Sequence, residues 1–153
     1  MVDKSKTRKV VLASGVFDLL NLGHVKFLEE DKKAGGKDAE LIVIVARDST
    51  VEKAKGKKPI MSEHQRKALV ESLKVVDRAE LGFETLDIGE VITEIKPDII
   101  ALGYDQSDME KQVCAYINQH HLGTKVVRIG KFGENTLDSS SKIKQKIIDK
   151  FAS

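Results

Sequence analysis

At 153 residues, of which 41% are hydrophobic and 33% charged, the chain suits one globular domain with a real core and is too short for two. Its formal net charge of +2 argues against a dedicated nucleic-acid-binding protein, which usually carries a clear basic excess. The lone cysteine excludes an intramolecular disulfide and a cysteine-based metal site, and the lack of a long apolar run or signal-peptide pattern predicts a cytoplasmic protein without a membrane partner.

Short apolar runs alternate along the chain with helical patterns. In chain order, the first half predicts a strand over 10–13, a helix over 25–34, a strand over 41–46, a polar, lysine-rich loop over 47–59 and a helix that Ser62 caps. The second half predicts a strand over 79–81, a helix over 88–95 ended by Pro97, a strand over 99–102, a helix over 109–121, a strand over 126–129 and a last helix capped by Ser139.

Repeated strand–helix units predict an α/β fold, a Rossmann-like, doubly wound parallel sheet of five strands with helices on both faces. We expect a single domain over residues 1–153, with a flexible N-terminus over 1–7. Ligands of such sheets bind beyond the carboxyl ends of the strands, near the point where the strand order reverses. Three features fall at such ends: residues 15–24, the lysine-rich loop, and residues 103–105.

The most informative stretch is residues 15–24, with the sequence GVFDLLNLGH, which connects the first strand to the first helix. A strand that opens into a glycine-containing turn and a helix start directs backbone N–H groups at one point, and His24 adds an imidazole there. The stretch therefore predicts a phosphate site. Two interpretations of Asp18 stay open: it accepts hydrogen bonds from backbone donors of the turn, or it contacts a bound nucleotide.

The spacing of this stretch resembles the signature of the nucleotidyltransferase superfamily, G-x-F-D-x-x-H-x-G-H, with Asn21 in place of the first histidine. Those enzymes transfer a nucleoside monophosphate from a triphosphate to a phosphate-bearing acceptor and release pyrophosphate. Three other segments are similar to the glycerol-phosphate cytidylyltransferases: the lysines of 55–58 ahead of Glu63 and Arg66, the sequence GYD at 103–105, and the serine-rich segment 139–143. The resemblance implies the nucleotidyltransferase type of sheet.

Within that superfamily the chain resembles the archaeal FAD synthases over nearly its whole length, through segments 45–50, 73–79 and 96–105. The resemblance implies transfer of AMP from ATP to FMN, by in-line attack of the FMN phosphate on the α-phosphorus of ATP, giving FAD and pyrophosphate. It also implies that magnesium or another divalent cation accompanies ATP, because the sequence holds no carboxylate cluster rich enough to form a metal cage. A homodimer is implied by related small cytidylyltransferases.

The same resemblance assigns roles to individual residues. His24 donates to an oxygen of the α-phosphate, and Asn21 lies beside it with an amide NH₂ in place of an imidazole. Lys55 and Lys57 close over the β- and γ-phosphates on a mobile loop. The other residues expected at the nucleotide are Val16, Phe17, Asp18, Leu22 and Gly23 in the turn, Asp105 at the ribose, Phe132 stacked on the adenine, and Ser139 and Ser140 at the pyrophosphate.

Two alternatives remain. One is a cytidylyltransferase acting on glycerol phosphate or a similar acceptor, because flavin and glycerol-phosphate enzymes share the nucleotide site. The other is a nucleotide- or flavin-binding protein with weak catalysis, because Asn21 stands where the motif has a histidine that can act as a cationic donor. One such contact contributes about 2.7–4 kcal/mol to transition-state stabilisation. The asparagine is therefore the position on which full activity is expected to depend.

Overall fold

The computed structural model describes residues 8–82, 87–131 and 139–152, so residues 1–7 and Phe132 lie outside the described ranges. Strands and helices alternate through these ranges as the sequence predicts. The strands are β1 (Val10–Gly15), β2 (Glu40–Val45), β3 (Arg78–Leu81), β4 (Ile99–Gly103) and β5 (Lys125–Ile129). The helices are α1 (Leu22–Ala34), α2 (Asp48–Lys55), α3 (Glu63–Glu71), α4 (Ile88–Ile95), α5 (Ser107–Gln119) and α6 (Ser140–Phe151).

The five strands form one parallel sheet in the order β3-β2-β1-β4-β5, which confirms the predicted fold class. The strand order reverses between β1 and β4, where Val11 pairs with Ile99 and Ala13 with Ala101. The carboxyl ends of these two central strands, at Gly15 and Gly103, therefore flank the crevice in which such sheets bind ligands.

The core has two layers because the central strands are buried on both faces. Val11 and Ala13 of β1 pack in the cluster that contains Leu28 of α1 and Val70 of α3. Leu12, between them in the sequence, points to the other face and packs with residues of α4 and α5. Alternate residues of a strand face opposite sides, so β1 separates the α1–α3 side of the molecule from the α4–α5 side.

The expectation of a loop over 47–59 is wrong for most of that segment, because Asp48–Lys55 forms α2. The helix buries Val51 and ends at Gly56, whose φ of 79° lies in the left-handed region that glycine adopts without strain. Lys55 is therefore the last residue of a helix, and Lys57 lies beyond its end. A single buried valine among charged residues is too weak an apolar pattern to reveal the helix from sequence.

Two predicted helix starts also shift toward the N-terminus, and for α1 the reason is its cap. Helix α1 begins at Leu22 rather than at residue 25, because Asn21 caps it, and α5 begins at Ser107. Ser62 and Ser139 cap α3 and α6 through their side-chain oxygens, as predicted. Within the described ranges, no helix combines the length and apolar character that crossing a bilayer requires.

Candidate active site at the carboxyl edge of the sheet

The turn after β1 is held by a buried aromatic ring. Phe17 is 4% exposed and has a φ of 56°, and its ring meets the imidazole of His24 edge-on with centroids 5.4 Å apart. A Cβ added at Gly15 would lie 3.0 Å from the same phenyl ring, closer than nearly all real contacts. Glycine at the strand end thus leaves room for the Phe17 ring, which would have to shift if a larger residue stood there.

Asn21 and His24 form a capping box at the start of α1. The Oδ1 atom of Asn21 accepts the N–H of Gly23 at 3.0 Å, while the N–H of Asn21 donates to Nδ1 of His24 at 3.3 Å. An Nδ1 atom that accepts cannot carry a proton, so the neutral imidazole has its proton on Nε2. The box therefore leaves an N–H donor on the ring atom that the cap does not use.

The surroundings of His24 favour its neutral form. Burial lowers the pKa of the imidazole below the usual 6.5, and this outweighs the opposing attraction of the Asp18 and Asp105 carboxylates, which favours the charged form. The structure thus brings His24, Asp18 and Asp105 close enough to interact electrostatically, as the sequence prediction for this site requires. At neutral pH the ring acts as a hydrogen-bond donor through Nε2 and carries no charge.

The Asp18 carboxylate ties the turn to two other segments. It is 4% exposed and accepts the backbone N–H groups of Ile60 at 2.8 Å and Met61 at 2.9 Å, and Lys144 of α6 lies 3.5 Å from it. Burial alone would raise the pKa of this carboxyl, but the two N–H donors and Lys144 hold it below its usual range. Of the two interpretations of Asp18, the structure shows the backbone-acceptor role, with donors that come from the segment after α2.

Arg66 connects the loops that follow the strands. Its side chain is fully buried, and the guanidinium donates to the carbonyls of Val16 and Ala46 at 2.7 Å and of Met61 at 2.9 Å, and to the Asp48 carboxylate at 2.7 Å. One side chain therefore joins the loops that follow β1 and β2 to the start of α3. The sequence located Arg66 only by its offset from the lysines, because a buried arginine leaves no apolar pattern.

A second charged pair continues this network. Glu63 accepts the backbone N–H of Asp48 at 2.9 Å, and its other carboxylate oxygen lies 3.3 Å from Nη1 of Arg47. Arg47 also donates through Nε to the carbonyl of Gly82, just after β3. Hydrogen bonds from Arg47, Glu63 and Arg66 thus connect the ends of β1, β2 and β3. The sequence did not reveal these roles.

The remaining predicted residues lie at and just after the end of α2 and at the start of α6. Lys55 and Lys57 are exposed, and among the described residues no hydrogen bond or ion pair joins either of them to the turn. Ser139 accepts the N–H of Lys142 at 3.2 Å as the N-cap of α6, and Ser140 begins that helix. The Lys144–Asp18 pair brings α6 to the same turn that precedes α1.

The candidate site has polar donors and no metal cage. In the ranges that the structure covers, no group of three or more His, Cys, Asp or Glu side chains is arranged to hold a metal ion. What the turn offers is the Nε2–H of His24 and the N-terminal end of α1. These are groups that bind and polarise phosphates.

Comparison with known proteins points to one family. The family model described as cytidylyltransferase-like matches residues 12–146. The chain is 49% identical over 139 residues to the FAD synthase of Thermoplasma volcanium, covering 91% of this chain and 94% of that protein. It is 49% identical over 140 residues to the FAD synthase of Aciduliprofundum boonei, with 92% and 91% coverage, and 48% identical to that of Methanobrevibacter smithii, with 91% and 90% coverage.

Solved structures agree with this assignment. A protein from Thermoplasma volcanium, described as a lipopolysaccharide core biosynthesis protein, superposes with a TM-score of 0.73 at 50% identity and covers 82% of this chain and 98% of its own. Pantothenate synthetase from Thermus thermophilus, at 13% identity and a TM-score of 0.57 over 84% of this chain and 58% of its own, shares the fold alone. By sequence and by fold, the chain belongs to the cytidylyltransferase-like family.

Proposed function

We propose that the protein is an FAD synthase, which transfers AMP from ATP to FMN and releases pyrophosphate. The observation that carries the proposal is the 46–49% identity to several FAD synthases over about nine-tenths of the chain. The turn after β1 supports it, because the N-terminal end of α1 and the Nε2–H of His24 are donors of the kind that a triphosphate needs.

The reaction requires positioning and charge stabilisation, with no covalent intermediate. In this proposal the Nε2–H of His24 donates to a non-bridging oxygen of the ATP α-phosphate as charge develops there. The capping box contributes by fixing the ring tautomer, so the donor needs no rearrangement before the transition state. Asn21 serves this step through its backbone N–H and its cap, and one amide hydrogen on Nδ2 is already donated to the Leu19 carbonyl at 3.0 Å.

The leaving pyrophosphate needs cations on its other side. Lys55 and Lys57 supply them from the end of α2, and the segment that follows is anchored by the bonds from Ile60 and Met61 to Asp18. Ser140, at the start of α6, adds free backbone N–H groups. The substrate would be the magnesium complex of ATP, in which the cation would neutralise part of the phosphate charge.

The test is product formation from defined substrates. We expect FAD, measured by chromatography, when the protein is incubated with ATP, magnesium and FMN, and we expect the His24→Ala variant to form it much more slowly. Product from CTP and glycerol phosphate, with none from ATP and FMN, would instead establish a cytidylyltransferase. Tight binding of ATP and FMN without pyrophosphate release would identify a binding protein.

A further inference from the structure

A cavity of about 250 Å³ opens on the α4–α5 side of the sheet, next to the strand ends. Its lining is mostly apolar, and strands β1, β2 and β4 form its floor while α4 and α5 form its walls. The side chains deepest in the fold at this cavity are Leu12, Ile92, Ile100, Leu102 and Val113, all 5% exposed or less. Among the residues that the structure describes, the proposed ATP site shares only Val16 with this lining.

The size of the cavity argues for a ligand. Small-molecule sites are usually clefts of about 300–1,000 Å³. This cleft, at about 250 Å³, is close to that range. A concave, mostly apolar site with a few polar groups at its rim is typical of small-molecule binding.

The position of the cavity relates it to the phosphate site. Leu12 packs with the α4–α5 cluster, whereas Val11 and Ala13 pack in the cluster on the α1 side, and Ala13 also lines the cavity beside Leu12. The cavity therefore lies on the α4–α5 side and reaches the strand β1 itself. Gly15 and Val16 line the cavity at the carboxyl end of β1, immediately before the turn that leads to His24. If a molecule placed its ring in the cavity, a phosphate attached to it could extend past this strand end to the proposed reaction site.

The mouth carries fixed polar groups. Gln106 accepts the N–H of Gly103 at 2.7 Å and donates to the carbonyl of Ser14 at 3.3 Å, which links β4 to β1 at the rim. Arg47 is held there by Glu63 and by the carbonyl of Gly82. The cavity is therefore apolar inside and polar at its opening, and both polar side chains are restrained.

We infer that this cavity binds the isoalloxazine ring of the FMN acceptor, an assignment that rests on the proposed function. The ring is flat, with an apolar dimethylbenzene end that fits the interior and a pyrimidine end whose carbonyl and N–H groups suit the polar mouth. Burying the dimethylbenzene end removes apolar surface from water and supplies the affinity. A glycerol-phosphate acceptor would leave the cavity unfilled, so the cavity selects a flavin over small polar acceptors.

The experiment separates ring binding from chemistry by using lumiflavin, which has the ring without a phosphate. Its fluorescence is titrated with wild-type protein and with Val91→Phe, which fills the cavity from α4. The matched control is Ile95→Phe, because Ile95 lies on the same helix and packs on the same core cluster without lining the cavity. Circular dichroism checks that each variant folds. If Val91→Phe does not fold, Met109→Trp replaces it, because Met109 lines the cavity from α5.

We expect wild type to quench lumiflavin saturably in the presence of saturating ATP. Val91→Phe should weaken lumiflavin binding and raise the KM for FMN at least 10-fold while the KM for ATP changes less than two-fold, and Ile95→Phe should resemble wild type. Equal effects of the two variants, displacement of lumiflavin by ATP, or no binding to wild type would overturn the assignment. A further outcome is that the wild-type protein binds lumiflavin, loses that binding in Val91→Phe, and yet forms no FAD. That result would refute the proposed function and still support the ring site.

Discussion

Replacing Asp18 with asparagine tests whether this carboxylate holds the segment after α2 in place. Asp18 accepts two backbone N–H groups, from Ile60 and Met61, and hydrogen bonds to a charged group contribute about 1.5–3 kcal/mol each. An amide keeps one accepting oxygen, so one of these N–H groups would face an NH₂ donor instead. The Lys144 pair adds little, because that lysine side chain is 40% exposed.

We therefore expect Asp18→Asn to lower the free energy of unfolding by about 2–3 kcal/mol, the loss of one such bond. With a urea m value of about 2 kcal/mol/M, the unfolding midpoint should fall by about 1–1.5 M. The KM for ATP should also rise, because Lys55 and Lys57 precede the segment that loses its anchor. Both quantities are measured on the same preparation, by urea titration and by steady-state assay of FAD formation.

The control is Asp38→Asn, which changes an exposed carboxylate on the loop before β2. It should leave the midpoint within about 0.3 M of wild type, since surface substitutions away from special features change stability by about 0.5 kcal/mol or less. An Asp18→Asn protein with the wild-type midpoint and the wild-type KM for ATP would refute the anchoring role. The low pKa of Asp18 adds a pH signature: its stabilisation is present above the unfolded value of 3.8 and is lost as pH falls through the lower folded value.

Three further substitutions test other parts of the structure. Arg66→Met should cost about 3–5 kcal/mol in urea unfolding, because it leaves the Asp48 carboxylate without its buried partner and removes the donor to three carbonyls; a loss under 1 kcal/mol would contradict this. Burial raises the pKa of Asp31, whose oxygens have no partner among the described residues, to about 8. The folded state then keeps a proton that the unfolded state releases above pH 3.8, so stability should fall from about pH 4 to 8 by up to about 1.4 kcal/mol per unit, and Asp31→Asn should flatten that slope in urea midpoints. His24→Ala should reduce kcat by about 10²–10³. Protonation of Nδ1 would break its bond with the N–H of Asn21, so the acid limb of the wild-type kcat/KM profile, which reports the free enzyme, should lie below pH 6.5 because burial lowers the pKa of His24; a limb above 6.5 would exclude His24 as its source.

The sheet could be predicted because its central strands are buried on both faces. Segments such as residues 99–102 are continuously apolar, which is typical of parallel strands covered by helices on each side. Helix α2 could not be predicted in the same way. It buries Val51 among residues that are mostly exposed, so its amphipathic pattern is too short to distinguish from a charged loop.

In the candidate site, too, local features could be predicted from the sequence and long-range contacts could not. Residues 15–24 could be located because a tight turn and a helix start need particular residues at fixed spacing. The hydrogen-bond partners of Asp18 and Arg66 could not be located in this way. Ile60 is 42 residues from Asp18 and Val16 is 50 residues from Arg66, so the packing of whole elements determines these contacts. The cavity is likewise a gap between α4, α5 and three strands, and no local pattern encodes a gap.

The asparagine at position 21 is explained by the helix it begins. Its Oδ1 accepts the N–H of Gly23 and its Nδ2 donates to the Leu19 carbonyl, so the side chain is occupied with the turn itself. Asparagine is among the best N-cap residues, and its replacement by alanine costs about 1 kcal/mol. Because the N–H of Asn21 fixes Nδ1 of His24, a weaker cap would disturb the orientation of the one imidazole that the motif retains. Asn21→Ser, which keeps a cap oxygen and loses the amide, should therefore retain most of the activity, whereas a loss as large as that of His24→Ala would mean that the amide itself contacts the phosphate.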